Sequence, residues 1–115
     1  MRETDMFEPM ISYLEERGYR VFSVNRGKAK GPDIEALKKG KKLVIEMKGD
    51  TSAVKVDWDT GLGQLLQAMD DSGKDYAIAV SQRYERLVRI FPSFPRDRLA
   101  LRFFIVKESG EVIEV

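Results

Sequence analysis

The spacing of apolar residues changes several times along this chain, and each change marks an element. Phe7, Met10, Ile11 and Leu14 recur at helical spacing, so Thr4 to Arg17 reads as an amphipathic helix that Gly18 stops. Pro9 falls in the first turns of that helix, where a missing N–H matters least. Tyr19 to Val24 alternates as a strand, and Asn25 to Pro32 is a Gly- and Lys-rich loop. Two alternating runs, 33–38 and 41–48, flank Lys39-Gly40, a two-residue hairpin turn. Gly49 to Asp59 reads as a polar connector. Thr60 reads as an N-cap, and Leu62, Leu65, Leu66 and Met69 as the stripe of a helix ending near Ser72-Gly73. Asp75 to Ser81 is apolar almost throughout, as a central strand is. Gln82 to Phe91 reads as a helix ended by Pro92. Leu101 to Lys107 and Glu111 to Val115 form a last hairpin around Ser109-Gly110. The order α, three strands, α, strand, α, two strands predicts an α/β fold with a central mixed sheet flanked by helices.

The first hairpin carries the chemistry. With Lys38 opposite Lys41, Leu37 faces Lys42, Ala36 faces Leu43, Glu35 faces Val44, Ile34 faces Ile45, and Asp33 faces Glu46. Alternation then puts Ile34, Ala36, Leu43, Ile45 and Met47 on one buried face. Asp33, Glu46 and Lys48 share the other face with Glu35. A one-residue slip would destroy both the apolar match and the acid pair, so the register is strongly specified. Opposed Cβ atoms lie roughly 4.5–5.5 Å apart, and like charges there are destabilising without a ligand. Two carboxylates at that distance suit a hard divalent cation, which binds oxygen.

Composition narrows the reaction. The chain has 115 residues, the length of one domain, with no His and no Cys. Histidine-based nucleases, serine–histidine triads, thiolate zinc sites and cysteine nucleophiles are excluded. Any hydrolysis must use carboxylates, lysine and a cation such as Mg²⁺ or Mn²⁺. The lack of cysteine, a polar N-terminus and the absence of a long apolar run predict a cytoplasmic protein without a membrane span. Net charge is only +1, but it is segregated. Residues 25–48 hold eight Lys and Arg against three Asp and Glu, and residues 82–102 hold six against two. Such clustering presents a basic face to phosphates. Arg26, Lys28 and Lys30, in the loop ending at Asp33, are candidate phosphate contacts. Arg83, Arg86 and Arg89, three apart and so near one helical face, are further candidates.

Pro32-Asp33 followed by Glu46-Met47-Lys48, in a hairpin of this register, resembles the PD-(D/E)XK (restriction-endonuclease-like) nuclease superfamily. The resemblance covers about residues 3–81, from the helix before the hairpin to the helix after it that contains Gly63-Gln64-Leu65-Leu66-Gln67. It implies a restriction-endonuclease-like core and metal-dependent hydrolysis of phosphodiester bonds in DNA. Asp33, Glu46 and the Met47 backbone carbonyl would ligate the metal. Lys48 would orient or deprotonate the water, or neutralise phosphate charge; the sequence leaves these roles open. Gln64 matches the glutamine that many members carry after the catalytic hairpin. In a subset a tyrosine stands four residues later, where this chain has Ala68. Many relatives also carry an acid on the first helix. Glu8 is preferred over Glu3, because its distance from Gly18 resembles junction-resolving members. Junction- or flap-cutting, phage and mobile-element nucleases are the relatives to consider, and Gly61 to Val115 resembles small proteins linked to excision control. A non-catalytic binding module of the same fold and an RNA-cleaving member are the alternatives. Small members often dimerise, and the exposed C-terminal hairpin edge offers a surface for a second copy.

Overall fold

A computed structural model describes residues 1–27 and 30–115. Helix α1 (Glu3–Glu16) precedes three antiparallel strands, β1 (Arg20–Val24), β2 (Ile34–Lys38) and β3 (Lys41–Lys48). Helix α2 (Val54–Ala68) crosses over to β4 (Asp75–Ser81). A 3₁₀ turn (Gln82–Tyr84), α3 (Glu85–Arg89) and α4 (Ser93–Leu99) lead to β5 (Arg102–Val106) and β6 (Val112–Glu114). The six strands lie in chain order in one sheet. β3, β4 and β5 are parallel, and β6 returns antiparallel to β5. The expected α/β architecture, a mixed sheet flanked by helices, is the one observed.

The hairpin has the predicted register, from Lys38 opposite Lys41 to Ile34 opposite Ile45. Lys39 and Gly40 have φ of 51° and 78°, the two positive values that a type I′ turn requires. Alternation then sorts the side chains into two layers. Ile34, Ala36, Leu43, Ile45 and Met47 pack with Met6, Phe7, Met10 and Leu14 of α1. Val44, Ile78, Val80, Phe103 and Ile105 pack on the opposite face with Trp58 and Leu65 of α2, Tyr84 and Val88. From Tyr76 to Ser81, β4 is fully buried because it contributes to both layers.

Three boundaries differ from the sequence reading. α2 starts at Val54, six residues before Thr60, and ends at Ala68, short of Ser72-Gly73. Its true stripe is Trp58, Gly61 and Leu65, and the polar residues between Val54 and Thr60 disguise its first turns. The run 82–91 is a 3₁₀ turn followed by a five-residue helix rather than one helix. α4 went unrecognised because none of its residues is buried, so it has no apolar stripe to detect.

Candidate active site

The open end of the hairpin positions the acids. Pro32 and Asp33 lie just outside β2, yet pairing continues on the β1 side, where the Asn25 N–H donates to the Asp33 carbonyl at 2.8 Å. On the β3 side the Asp33 side chain replaces the backbone ladder. Its Oδ2 accepts the Met47 N–H at 2.7 Å. This bond fixes the carboxylate at the end of β2, beside the Glu46 side chain, and the two carboxyl groups share a hydrogen bond.

Electrostatics follow from this crowding. Burial pushes the Asp33 carboxyl up, while the Met47 N–H, the Glu46 carboxyl and the Lys48 charge hold it down. Glu46 is pushed up to about 7, first by burial and then by the Asp33 charge. The shared hydrogen bond lowers Asp33 and raises Glu46, so of the two Glu46 holds its proton to the higher pH. Glu3 is also pushed up, by burial and then by Asp33.

These groups face an open cavity of about 840 Å³, which Glu3, Lys30, Lys48, Gln64 and Gln67 also line. Two glycines set its shape. A Cβ on Gly49 would lie 2.1 Å from the Glu3 backbone nitrogen, so the start of α1 rests directly on the end of β3. The Gly49 carbonyl accepts the buried Tyr84 hydroxyl at 2.8 Å, which holds that end of β3 in place. A Cβ on Gly61 would lie 3.1 Å from both Cγ and Cε of Lys48. The lysine stem therefore runs under α2 where that helix has no side chain. Lys48 and Glu3 also line a smaller adjoining recess with Asp57.

The structure brings together Asp33, Glu46, Lys48, Gln64 and Lys30 of the residues picked from sequence. It places Glu3, not Glu8, with the acids. Glu8, in the second turn of α1, is exposed and forms an ion pair with Arg26. Arg26 in turn lies 4.9 Å from the Phe7 ring. Each of these two candidates thus satisfies the other. Lys28 lies outside the described residues. Arg83 is exposed in the 3₁₀ turn, and its charge reaches Asp50, two residues beyond Lys48. Arg86 and Arg89 lie on α3, where Arg89 pairs with Glu85. The three arginines thus span two short elements, not one helical face. Trp58 is core, and Asp59 pairs with Lys55. Sequence reasoning missed Gly49 and Gly61. The signal for Gly49 was its place directly after Lys48.

The donor chemistry fits a hard divalent cation. Two carboxyl groups in mutual contact, each raised by burial, must take up a proton or a cation to lie so close. Among the described residues no group of three acidic side chains converges to hold a metal ion. A cation on the pair would draw further ligands from the Met47 carbonyl, as the motif resemblance implies, and from water or substrate. Mg²⁺ commonly binds in this way, through one or two carboxylates and its own waters.

The fold and site define a single α/β sheet with an acid pair and a lysine at the open end of one hairpin. Solved structures share this fold, two of them over nearly the whole chain. An XisH family protein from Nostoc punctiforme superposes with a TM-score of 0.66 at 18% identity, over 96% of this chain and 95% of its own. An FdxN element excision controlling factor protein from Anabaena variabilis superposes with a TM-score of 0.65 at 19% identity, over 95% of this chain and 96% of its own. No family model matches the chain, and no curated protein matches it in sequence.

Proposed function

We propose that this protein is a divalent-cation-dependent endonuclease of the PD-(D/E)XK kind, acting on DNA in the excision or maintenance of a mobile element. The observation that carries the reading is the hydrogen-bonded Asp33–Glu46 pair with Lys48 beside it, opening on a cavity of about 840 Å³. The likeness in fold to an excision controlling factor supports the biological setting. Asp33 and Glu46 would hold Mg²⁺ or Mn²⁺, with the Met47 carbonyl. Such a cation, when bound, lowers the pKa of an attacking water and stabilises charge in the transition state. Lys48 lines the same cavity, and its ammonium group would neutralise the scissile phosphate or orient the water. Gln64 offers an amide to orient water or phosphate, and Lys30 grips a phosphate at the rim.

The test is a cleavage assay on plasmid, single-stranded, branched and RNA substrates with Mg²⁺ and Mn²⁺, alongside Mn²⁺ titration calorimetry. Cleavage of DNA and Mn²⁺ binding are expected, and Asp33→Ala should abolish both. Unchanged Mn²⁺ binding in that variant would sink the site. Mn²⁺ binding without cleavage of any substrate would reduce the protein to a non-catalytic module, and cleavage of RNA alone would replace DNA as the substrate.

A further inference from the structure

The sheet face that carries the acid pair is only half covered. Among the described residues α2 packs chiefly over β3 and β4 rather than over β1 and β2. On this open part Arg20, Leu37 and Lys42 form a cross-strand row, one residue from each of three strands. The register of β1 shifts between Val21 and Ser23, so Phe22 is an extra residue in a bulge. Bulges re-aim a side chain relative to strict alternation. Here the Phe22 ring is brought to the row, 5.8 Å from the Arg20 guanidinium and 5.7 Å from the Lys42 ammonium. The ring is 39% exposed and belongs to neither core layer. Among the described residues neither cation forms an ion pair. Continuity with the acids is direct. From Phe22 the chain runs through Val24, the end of β1, to Asn25, whose N–H bonds the Asp33 carbonyl. Three residues of strand span roughly 10 Å.

We propose that Phe22, with Arg20 and Lys42, is a stacking platform for the bases of an unpaired nucleic-acid strand that leads to the acid pocket. The inference rests on the nuclease reading and adds to it a class of substrate, one with single-stranded character. An aromatic ring between two unpaired cations is the composition that binds single strands: every base has a face to stack, and the cations take the backbone. Duplex DNA keeps its bases inside the stack and offers the ring nothing. Glu35 lies between the ring and the acid pair on the same face. The attraction therefore comes from the ring and its two cations, not from a continuous basic stripe.

The experiment measures binding by fluorescence anisotropy, in EDTA, of one labelled oligonucleotide sequence as single-stranded DNA, single-stranded RNA and duplex DNA. Phe22→Leu keeps an apolar side chain at the bulge and removes the aromatic face, and Phe22→Trp restores one. Phe22→Leu should weaken single-strand binding about 10-fold, Phe22→Trp should retain it, and duplex binding should not change. The joint change Arg20→Ala with Lys42→Ala should lower the single-strand salt slope by about 1.4, or 0.7 for each phosphate contact. The RNA arm tells which sugar is preferred. Wild-type affinity in Phe22→Leu, an equal loss on duplex, or no single-strand binding by the wild type would each overturn the platform. Asp33-dependent cleavage alongside normal single-strand binding by Phe22→Leu removes the platform and leaves the nuclease. Loss of single-strand binding in Phe22→Leu without cleavage of any substrate by the wild type removes the nuclease and leaves the platform.

Discussion

The two faces of β3 carry alternate residues of one short strand, yet they have opposite characters. Towards α1, Leu43, Ile45 and Met47 are fully buried in the layer that packs with Met6, Phe7, Met10 and Leu14. Towards α2, Val44 is core, but Glu46 and Lys48 open on the cavity. The closed face binds the strand into the fold. The open face places two acids where neither can be fully hydrated, and Glu46 consequently titrates far above an ordinary glutamate. One face stabilises and the other stores unfavourable electrostatics, as binding sites do.

Substitutions on the two faces should separate these roles. The largest effect on stability is expected from Ile45→Ala, which empties a fully buried site and should cost about 2–5 kcal/mol in urea unfolding. A loss below about 1 kcal/mol would mean that α1 does not close this face as described. Lys48→Ala should do the reverse: cleavage should fall by about 10²-fold or more, while the unfolding midpoint hardly moves. An intact rate would leave Lys48 a packing residue only.

Gly61→Ala sharpens the comparison by opposing two effects. Alanine favours the helix by up to about 1 kcal/mol over glycine. The added methyl would meet the Lys48 stem at 3.1 Å, and the lysine must shift. Stability should hold or rise while cleavage falls about 10-fold, the cost of about 1.4 kcal/mol in misplaced charge. Parallel losses in both would point to disrupted packing at Ile78 instead.

The smallest effect is the most specific to the open face. Native Glu46 keeps its proton up to about pH 7, whereas the unfolded chain loses it near 4.5. The folded state therefore binds more protons between those values, and stability falls as pH rises through that window. Glu46→Gln keeps a donor for Asp33 and cannot ionise. In EDTA the variant should be the more stable above pH 7, by about 1 kcal/mol after allowance for solvent screening. The gap should close as pH falls towards 4.5. Equal stability at all pH values would mean that the acid pair is not in contact.

Much of the site was legible because it depends on neighbours in sequence. A two-residue turn and strict alternation bring Asp33, Glu46 and Lys48 together within a single hairpin, so counting residues recovers the register. The same local logic found α1, the buried β4 and the last hairpin. α4 and the first turns of α2 escaped it because pattern reading needs an apolar stripe, and these segments carry little or none.

The sequence by itself determined which residues form the acid pair, which face of the hairpin is buried, and that carboxylates and lysine are the groups available for hydrolysis. Tertiary structure alone decided that Glu3 rather than Glu8 joins the acids, that Gly61 makes room for Lys48, and that Phe22 lies beside Arg20 and Lys42 on an open face. The reason is physical. Alternation and helical period are local regularities that leave a trace in every few residues. A close approach between distant segments leaves only a missing side chain, as at Gly49 and Gly61, and a bulge breaks the regularity that would have revealed it.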